Sequence, residues 1–184
     1  MRLVHEVRSV FVRFKEMKCI KLTNRLQALA DLAGENVSIA DIGTDHGHLP
    51  VYLVQTGKAR QIIASDISEA SLNAARRSAD DYNVSEAITF LVAPGLNGIT
   101  QKDVDTIVIA GLGGETIRSI LESAHWTKNH KVTLILQPQS KIDLLFRFLY
   151  DNGYEILQTK SILDKRKHYT VILATGGKGY DKCK

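Results

Sequence analysis

Short apolar runs alternating with helix-patterned stretches restrict the fold of this chain more than any other feature. Val37 to Ile42, Gln61 to Ile67, Ala87 to Val92, Val104 to Ala110 and Lys131 to Leu136 are each six or seven residues long. Such near-continuous apolar runs mark strands buried on both faces, the condition of a parallel sheet. Strand and helix patterns alternate along the chain, with helices expected over Gly47 to Val54, Glu69 to Tyr82, Glu115 to Ala124 and Lys141 to Asn152. The third run leads into the loop A-P-G-L-N-G. Tyr154 to Leu163 and His168 to Ala174 read as antiparallel strands about the polar turn Asp164 to Lys167. Ahead of the first run, Leu22 to Ala33 places Leu22, Leu26, Leu29, Ala30 and Ala33 on one helical face, with Gly34 as the stop. That helix is expected to cap the sheet beside the first strand. The fold class is α/β: a mostly parallel seven-stranded sheet with helices on both faces and a C-terminal antiparallel hairpin.

Ligands of such sheets bind beyond the carboxyl ends of the strands, and the polar residues collect there. I-A-D-I-G-T-D-H-G-H-L-P, Ile39 to Pro50, packs two carboxylates, two imidazoles and two glycines around the first strand's end. Gly43 permits a positive φ or close backbone approach, and the following helix aims its N-terminal dipole at the same space. The next glycine is Gly47, so no G-x-G-x-x-G dinucleotide fingerprint can be read. Asp66 ends the second run 23 residues after Gly43, where a carboxylate accepts from both hydroxyls of a ribose. The competing use of Asp66 is a helix cap, since Ser68 opens the next helix. The fourth run enters G-L-G-G-E, whose Gly111, Gly113 and Gly114 leave bare backbone around Leu112 for a flat substrate. The fifth ends in Q-P-Q, with Gln137 and Gln139 about Pro138. Asp45, His46 and His48 do not make a metal site: neighbours in one turn need further donors, and no second cluster is present. His48 reads as a helix-surface or packing residue.

Charge is unevenly placed. The net charge is +4, yet the first 25 residues hold seven basic residues, Arg8, Arg13 and Lys15 among them, against two acidic ones. Leu3, Val4, Val7, Val10, Phe11 and Phe14 give this segment a helical stripe. Residues 1–21 are therefore expected to be a basic helical extension suited to a polyanion, residues 22–175 the α/β domain, and residues 176–184 a disordered basic tail. Met17 is a second plausible start. Cys19 and Cys183 have neither disulfide-framework nor zinc spacing, no apolar run reaches the roughly 20 residues of a membrane span, and no secretory cleavage site is present. A cytoplasmic, monomeric protein without a metal is expected.

Taken in order, L-T-N-R-L, A-D-I-G-T-D-H-G-H-L-P, I-V-I-A-G-L-G-G, L-I-L-Q-P-Q and K-H-Y-T-V-I-L resemble the bacterial tRNA (adenine-N1)-methyltransferase family that modifies adenine 22, over about Leu22 to Ala174. The resemblance implies a Rossmann-like fold, S-adenosylmethionine as cofactor and tRNA as substrate. It implies that Asp41, Gly43 and His46 line the cofactor's amino-acid end and Asp66 its ribose. Gly111, Leu112 and Gly113 fall near the methyl group, Gly114 and Gln137 toward the target base, and Asp45 becomes the catalytic residue. The family's usual G-D-G-L is A-P-G-L here, Ala93 to Leu96, so Pro94 replaces an adenine-binding aspartate and Asn97 is the available substitute. Relatives commonly continue into a helical extension that grips tRNA; in this chain Arg8, Arg13 and Lys15 are expected to contact phosphate instead. Pro94 also leaves open an RNA-binding relative with impaired catalysis.

Overall fold

The computed structural model describes residues 19–177. Its strands are β1 (Val37–Ile42), β2 (Ala59–Asp66), β3 (Ile88–Val92), β4 (Thr106–Leu112), β5 (Thr133–Pro138), β6 (Tyr154–Asp164) and β7 (Lys167–Gly176). The helices are α1 (Asn24–Leu32), α2 (His48–Gln55), α3 (Glu69–Asp81), α4 (Gly114–Ser123) and α5 (Ile142–Asp151).

All seven strands form one sheet in the order β3-β2-β1-β4-β5-β7-β6. Neighbours from β3 through β5 pair in parallel, whereas β7 is antiparallel to both β5 and β6. It follows that β6 runs with the first five strands and its Asp164 end arrives on the same edge as their carboxyl ends. The chain builds outward from β1 to β3 and then crosses to β4, which opens a crevice between the ends of β1 and β4.

Successive residues of the central strands enter opposite cores, which explains their lack of alternation. Ala40, Ile42, Ile107, Ile109, Leu134 and Leu136 pack with Ile117 and Leu121 of α4 and Leu145 and Leu149 of α5. Ile39, Ile62, Ala64, Val108 and Ile135 pack on the other face with Leu29 and Ala30 of α1, Val51 and Leu53 of α2, and Ala79 of α3. Helix starts follow local chemistry: the Thr23 and Ser68 hydroxyls accept from the Leu26 and Ser71 N–H groups, filling donors that a first turn leaves open.

Two expectations need correction. Helix α1 lies against β6, β7 and α2 instead of beside β1, because β6 and β7 extend the sheet far enough to offer it an apolar floor. The crossover from β3 to β4 consists of turns with no helix, as expected of its proline and two glycines. Gly176 belongs to the sheet, paired with Tyr154; residues 178–184 and the basic stretch with Arg8, Arg13 and Lys15 lie outside the described residues. Ile20, just ahead of α1, is buried, and its N–H donates to Gln55 Oε1 at 3.1 Å. No helix among the described residues is long and apolar enough to cross a membrane.

Candidate active site

A cavity of about 480 Å³ opens where the chain crosses between β1 and β4, a size suited to one small molecule. Its walls come from the start of α1, the turn after β1, the tip of β2, the end of β4 at Ala110 to Leu112, and Gln139. Three carboxylates, Asp41, Asp45 and Asp66, face one guanidinium, Arg25, with His46 and His48 at the margin. With neutral imidazoles the wall carries an excess of two negative charges, which favours a cationic ligand.

The turn after β1 is held by backbone bonds. The Gly43 and Thr44 N–H groups both donate to Ser65 O, at 2.8 and 3.1 Å. Gly43, Asp45 and Gly47 all have positive φ, of 78°, 52° and 70°. Gly47 is also required by space, since a Cβ there would lie 2.8 Å from the Ala75 Cβ; this fixes α2 against α3. Asp45 is a non-glycine residue in the left-handed region, a conformation retained where position matters. Its carboxylate is exposed, with Oδ1 at 3.7 Å from His46 Nε2.

Asp41 is only 5% exposed, and its pKa is raised to about 6. Burial is the main cause and the Asp66 charge adds to it, while the Thr44 hydroxyl and, more weakly, Arg25 oppose it. Thr44 Oγ1 is itself buried without a hydrogen-bond partner of regular geometry, so its help to Asp41 is electrostatic proximity more than a formed bond. A buried carboxylate held against its preference and an orphaned hydroxyl beside it are groups that a cationic, hydrogen-bonding ligand would satisfy.

Asp66 combines both uses open to it. Its Oδ1 accepts from Ser68 N–H at 2.9 Å and its Oδ2 from Asp45 N–H at 3.4 Å, which leaves lone pairs for a diol because a carboxylate offers about four acceptor sites. Beside it Ile67 is 75% and Val92 48% exposed, an unusual apolar pair on a polar rim.

A model of a methyltransferase domain matches residues 22–172. The tRNA (adenine(22)-N(1))-methyltransferase of Bacillus subtilis is 33% identical over 161 residues, covering 88% of this chain and 68% of that protein. The chain belongs to the tRNA (adenine(22)-N(1))-methyltransferase family. The crystal structure of the B. subtilis m1A22 tRNA methyltransferase TrmK superposes with a TM-score of 0.79 at 32% identity, covering 86% of this chain and 68% of that one. A putative tRNA (m1A22) methyltransferase of Streptococcus pneumoniae, solved in complex with S-adenosyl-L-methionine, matches with a TM-score of 0.80 at 31% identity, covering 85% and 74%.

Within this family member, Asp41, Gly43, Asp45, His46, Asp66, Gly111 and Leu112 share the one cavity, while other expected residues lie elsewhere. Gly113 is the N-cap of α4. Gly114 is buried, and a Cβ on it would fall 2.4 Å from Lys141 O, so its smallness serves close packing of α4 on the start of α5. Gln137 is fully buried: its Oε1 accepts from Arg25 Nη1 at 3.0 Å and Gly111 N–H at 3.2 Å, and its Nε2 donates to Pro138 O. Its neighbour Gln139 is the glutamine on the cavity wall. Asn97 is exposed in the β3–β4 crossover, outside that wall. His48 is exposed at the start of α2, the helix-surface position expected, and it also borders the cavity, its ring stacked 5.7 Å from that of His46. Sequence reasoning missed Thr23, Leu26 and above all Arg25, which faces the cavity instead of standing with the basic arm. Among the described residues no group of three or more His, Cys, Asp or Glu is arranged to hold a metal ion.

Proposed function

We propose that this chain methylates N1 of adenine 22 in tRNA with S-adenosylmethionine as donor. The observation that carries the reading is the buried, charge-frustrated Asp41 in an acidic cavity at the β1–β4 crevice, in a chain of this family.

When bound, the cofactor supplies a methyl group activated by a sulfonium. Asp41 and Thr44 hold its ammonium end, with His46 on the same side. Asp66 accepts from the ribose hydroxyls, and Ile67 offers an apolar surface to the adenine ring, with Asn97 the acceptor available in the crossover. Gly111 and Leu112 bring backbone up to the reacting atoms; Gly113, Gly114 and Gln137 act indirectly, by fixing that turn and Arg25.

Adenine N1 has its own in-plane lone pair, so no covalent enzyme step is needed and placement supplies most of the acceleration. Bond formation at N1 leaves a positive charge on the ring. Asp45, accepting from the exocyclic N6 amine, orients the base and stabilises that charge as it grows. It is exposed in the free protein, as a group that must meet a large substrate has to be.

The reading takes a monomer as the working unit, and tRNA as substrate supports a cytoplasmic location. The test is incubation with unmodified tRNA and methyl-labelled S-adenosylmethionine. Label is expected as N1-methyladenosine at position 22 and lost when that adenine is replaced by guanine. Label retained in the replaced tRNA, or none in either, refutes the assignment.

A further inference from the structure

The β6–β7 hairpin reaches the active-site rim carrying positive charge that no ion pair among the described residues neutralises. Because β6 runs with the parallel strands, its turn lands on their carboxyl edge, on the β4–β5 side, away from Asp66. Two bonds fix it there: Asp164 Oδ2 accepts from Arg25 N–H at 3.3 Å, and Asn24 Nδ2 donates to Leu163 O at 3.1 Å. The first turn of α1 therefore contacts the hairpin tip and also lends Thr23, Arg25 and Leu26 to the cavity wall.

Lys165, Arg166, Lys167 and His168 follow one another at the tip, all exposed. Lys165 and Arg166 have φ of 46° and 67°, the left-handed pair of a tight hairpin turn. None of the three permanent cations has an ion-pair partner among the described residues. Behind them the Tyr169 ring lies between Lys167 Nζ at 5.2 Å and the Arg25 guanidinium at 5.7 Å, so the ring links the tip to the cavity wall, with the Asp164 carboxylate turned to the Arg25 N–H beside them.

We propose that Lys165, Arg166 and Lys167 form a phosphate-binding ledge that holds the tRNA backbone while the target base enters the cavity. This rests on the reading of tRNA as substrate. With Asp66 on the far flank, a polynucleotide reaching Gly111 from the β4–β5 side crosses this hairpin, and three adjacent cations without ion-pair partners there complement its phosphates. The plain use of charge at an exposed hairpin turn is solvation, and glutamate serves that purpose equally well.

The test is therefore charge reversal, K165E/R166E/K167E, with K165Q/R166Q/K167Q beside it in case reversal disturbs folding. Affinity for unmodified tRNA is measured against salt concentration, together with cofactor affinity and melting temperature. The reversed variant is expected to bind tRNA at least about tenfold more weakly, with the log–log salt slope shallower by about 2 to 3 for three lost phosphate contacts. The glutamine variant should show the same shallowing, and cofactor affinity and melting should match the wild type. If the wild type methylates tRNA but either folded variant keeps its tRNA affinity and slope, the ledge is wrong and the function stands. A wild-type chain that binds S-adenosylmethionine yet no tRNA at low salt overturns both.

Discussion

Replacing Asp41 by asparagine should change cofactor affinity, its pH dependence and protein stability together, by amounts set by one buried carboxylate. In the free protein Asp41 has a pKa of about 6. Its ionised fraction is then about ten elevenths at pH 7 and one eleventh at pH 5. The cofactor's α-ammonium stays protonated over this range, so pairing with it selects the ionised carboxylate. Wild-type affinity should therefore fall about tenfold from pH 7 to pH 5, or about 1.4 kcal/mol. In D41N affinity should be weaker at pH 7, and this tenfold component should vanish. His46 and His48 share the cavity, so only the part of the pH profile that D41N abolishes is assigned to Asp41. For stability the sign is opposite. Raising the folded-state pKa from 3.8 to about 6 means that the folded chain binds more protons than the unfolded chain between those values, so stability falls as pH rises through that window. The cost at pH 7 is of order 3 kcal/mol, and ligand-free D41N should melt above the wild type there, with the difference shrinking toward pH 4. Calorimetric titration with S-adenosylhomocysteine at matched ionic strength and thermal melting measure both effects. Equal affinities and parallel pH profiles in the two proteins would refute the pairing of Asp41 with the ligand's cation.

Other outcomes follow from the same geometry. Asp45→Ala should lower turnover by about 100-fold or more with cofactor affinity unchanged, as read by single-turnover methylation and calorimetry. Pro94→Asp, restoring a carboxylate acceptor near the cofactor's adenine, should tighten cofactor binding by about 1 to 3 kcal/mol; a calorimetric affinity equal to the wild type would count against an adenine site there. Gln137→Leu leaves the Gly111 N–H and the Arg25 guanidinium without their acceptor and should cost about 2 to 4 kcal/mol of stability in urea unfolding, with a parallel fall in activity. Gly47→Ala should destabilise more than its φ alone requires, since the added methyl meets Ala75; melting at or above wild type would contradict that packing.

The parallel strands and the acidic tips were legible in the sequence because both rest on local pattern: unbroken apolar runs, and carboxylates and glycines where those runs stop. What escaped depended on contacts between distant elements. Arg25 looks like one more cation on an amphipathic helix, and only the seating of α1 against β6 and β7 turns it into the cavity. The choice between Gln137 and Gln139 is made where β4 and β5 shift register between Ala110 and Leu112, an irregularity that a string of letters does not reveal. The glycines of G-L-G-G were all expected to face ligand, yet Gly111 supplies a positive φ at the cavity, Gly113 starts a helix and Gly114 admits the Lys141 backbone. Sequence spacing offered Asp66 as either a cap or a ribose ligand, but its two oxygens accept separate backbone donors and still face the cavity.

A crystal structure of the protein with S-adenosylhomocysteine tests the central claim most directly. The ligand should lie in the crevice between β1 and β4, its ammonium within hydrogen-bonding distance of Asp41 and its ribose hydroxyls on Asp66. A ligand bound elsewhere, or seated in the crevice with both carboxylates turned away from it, would contradict the account.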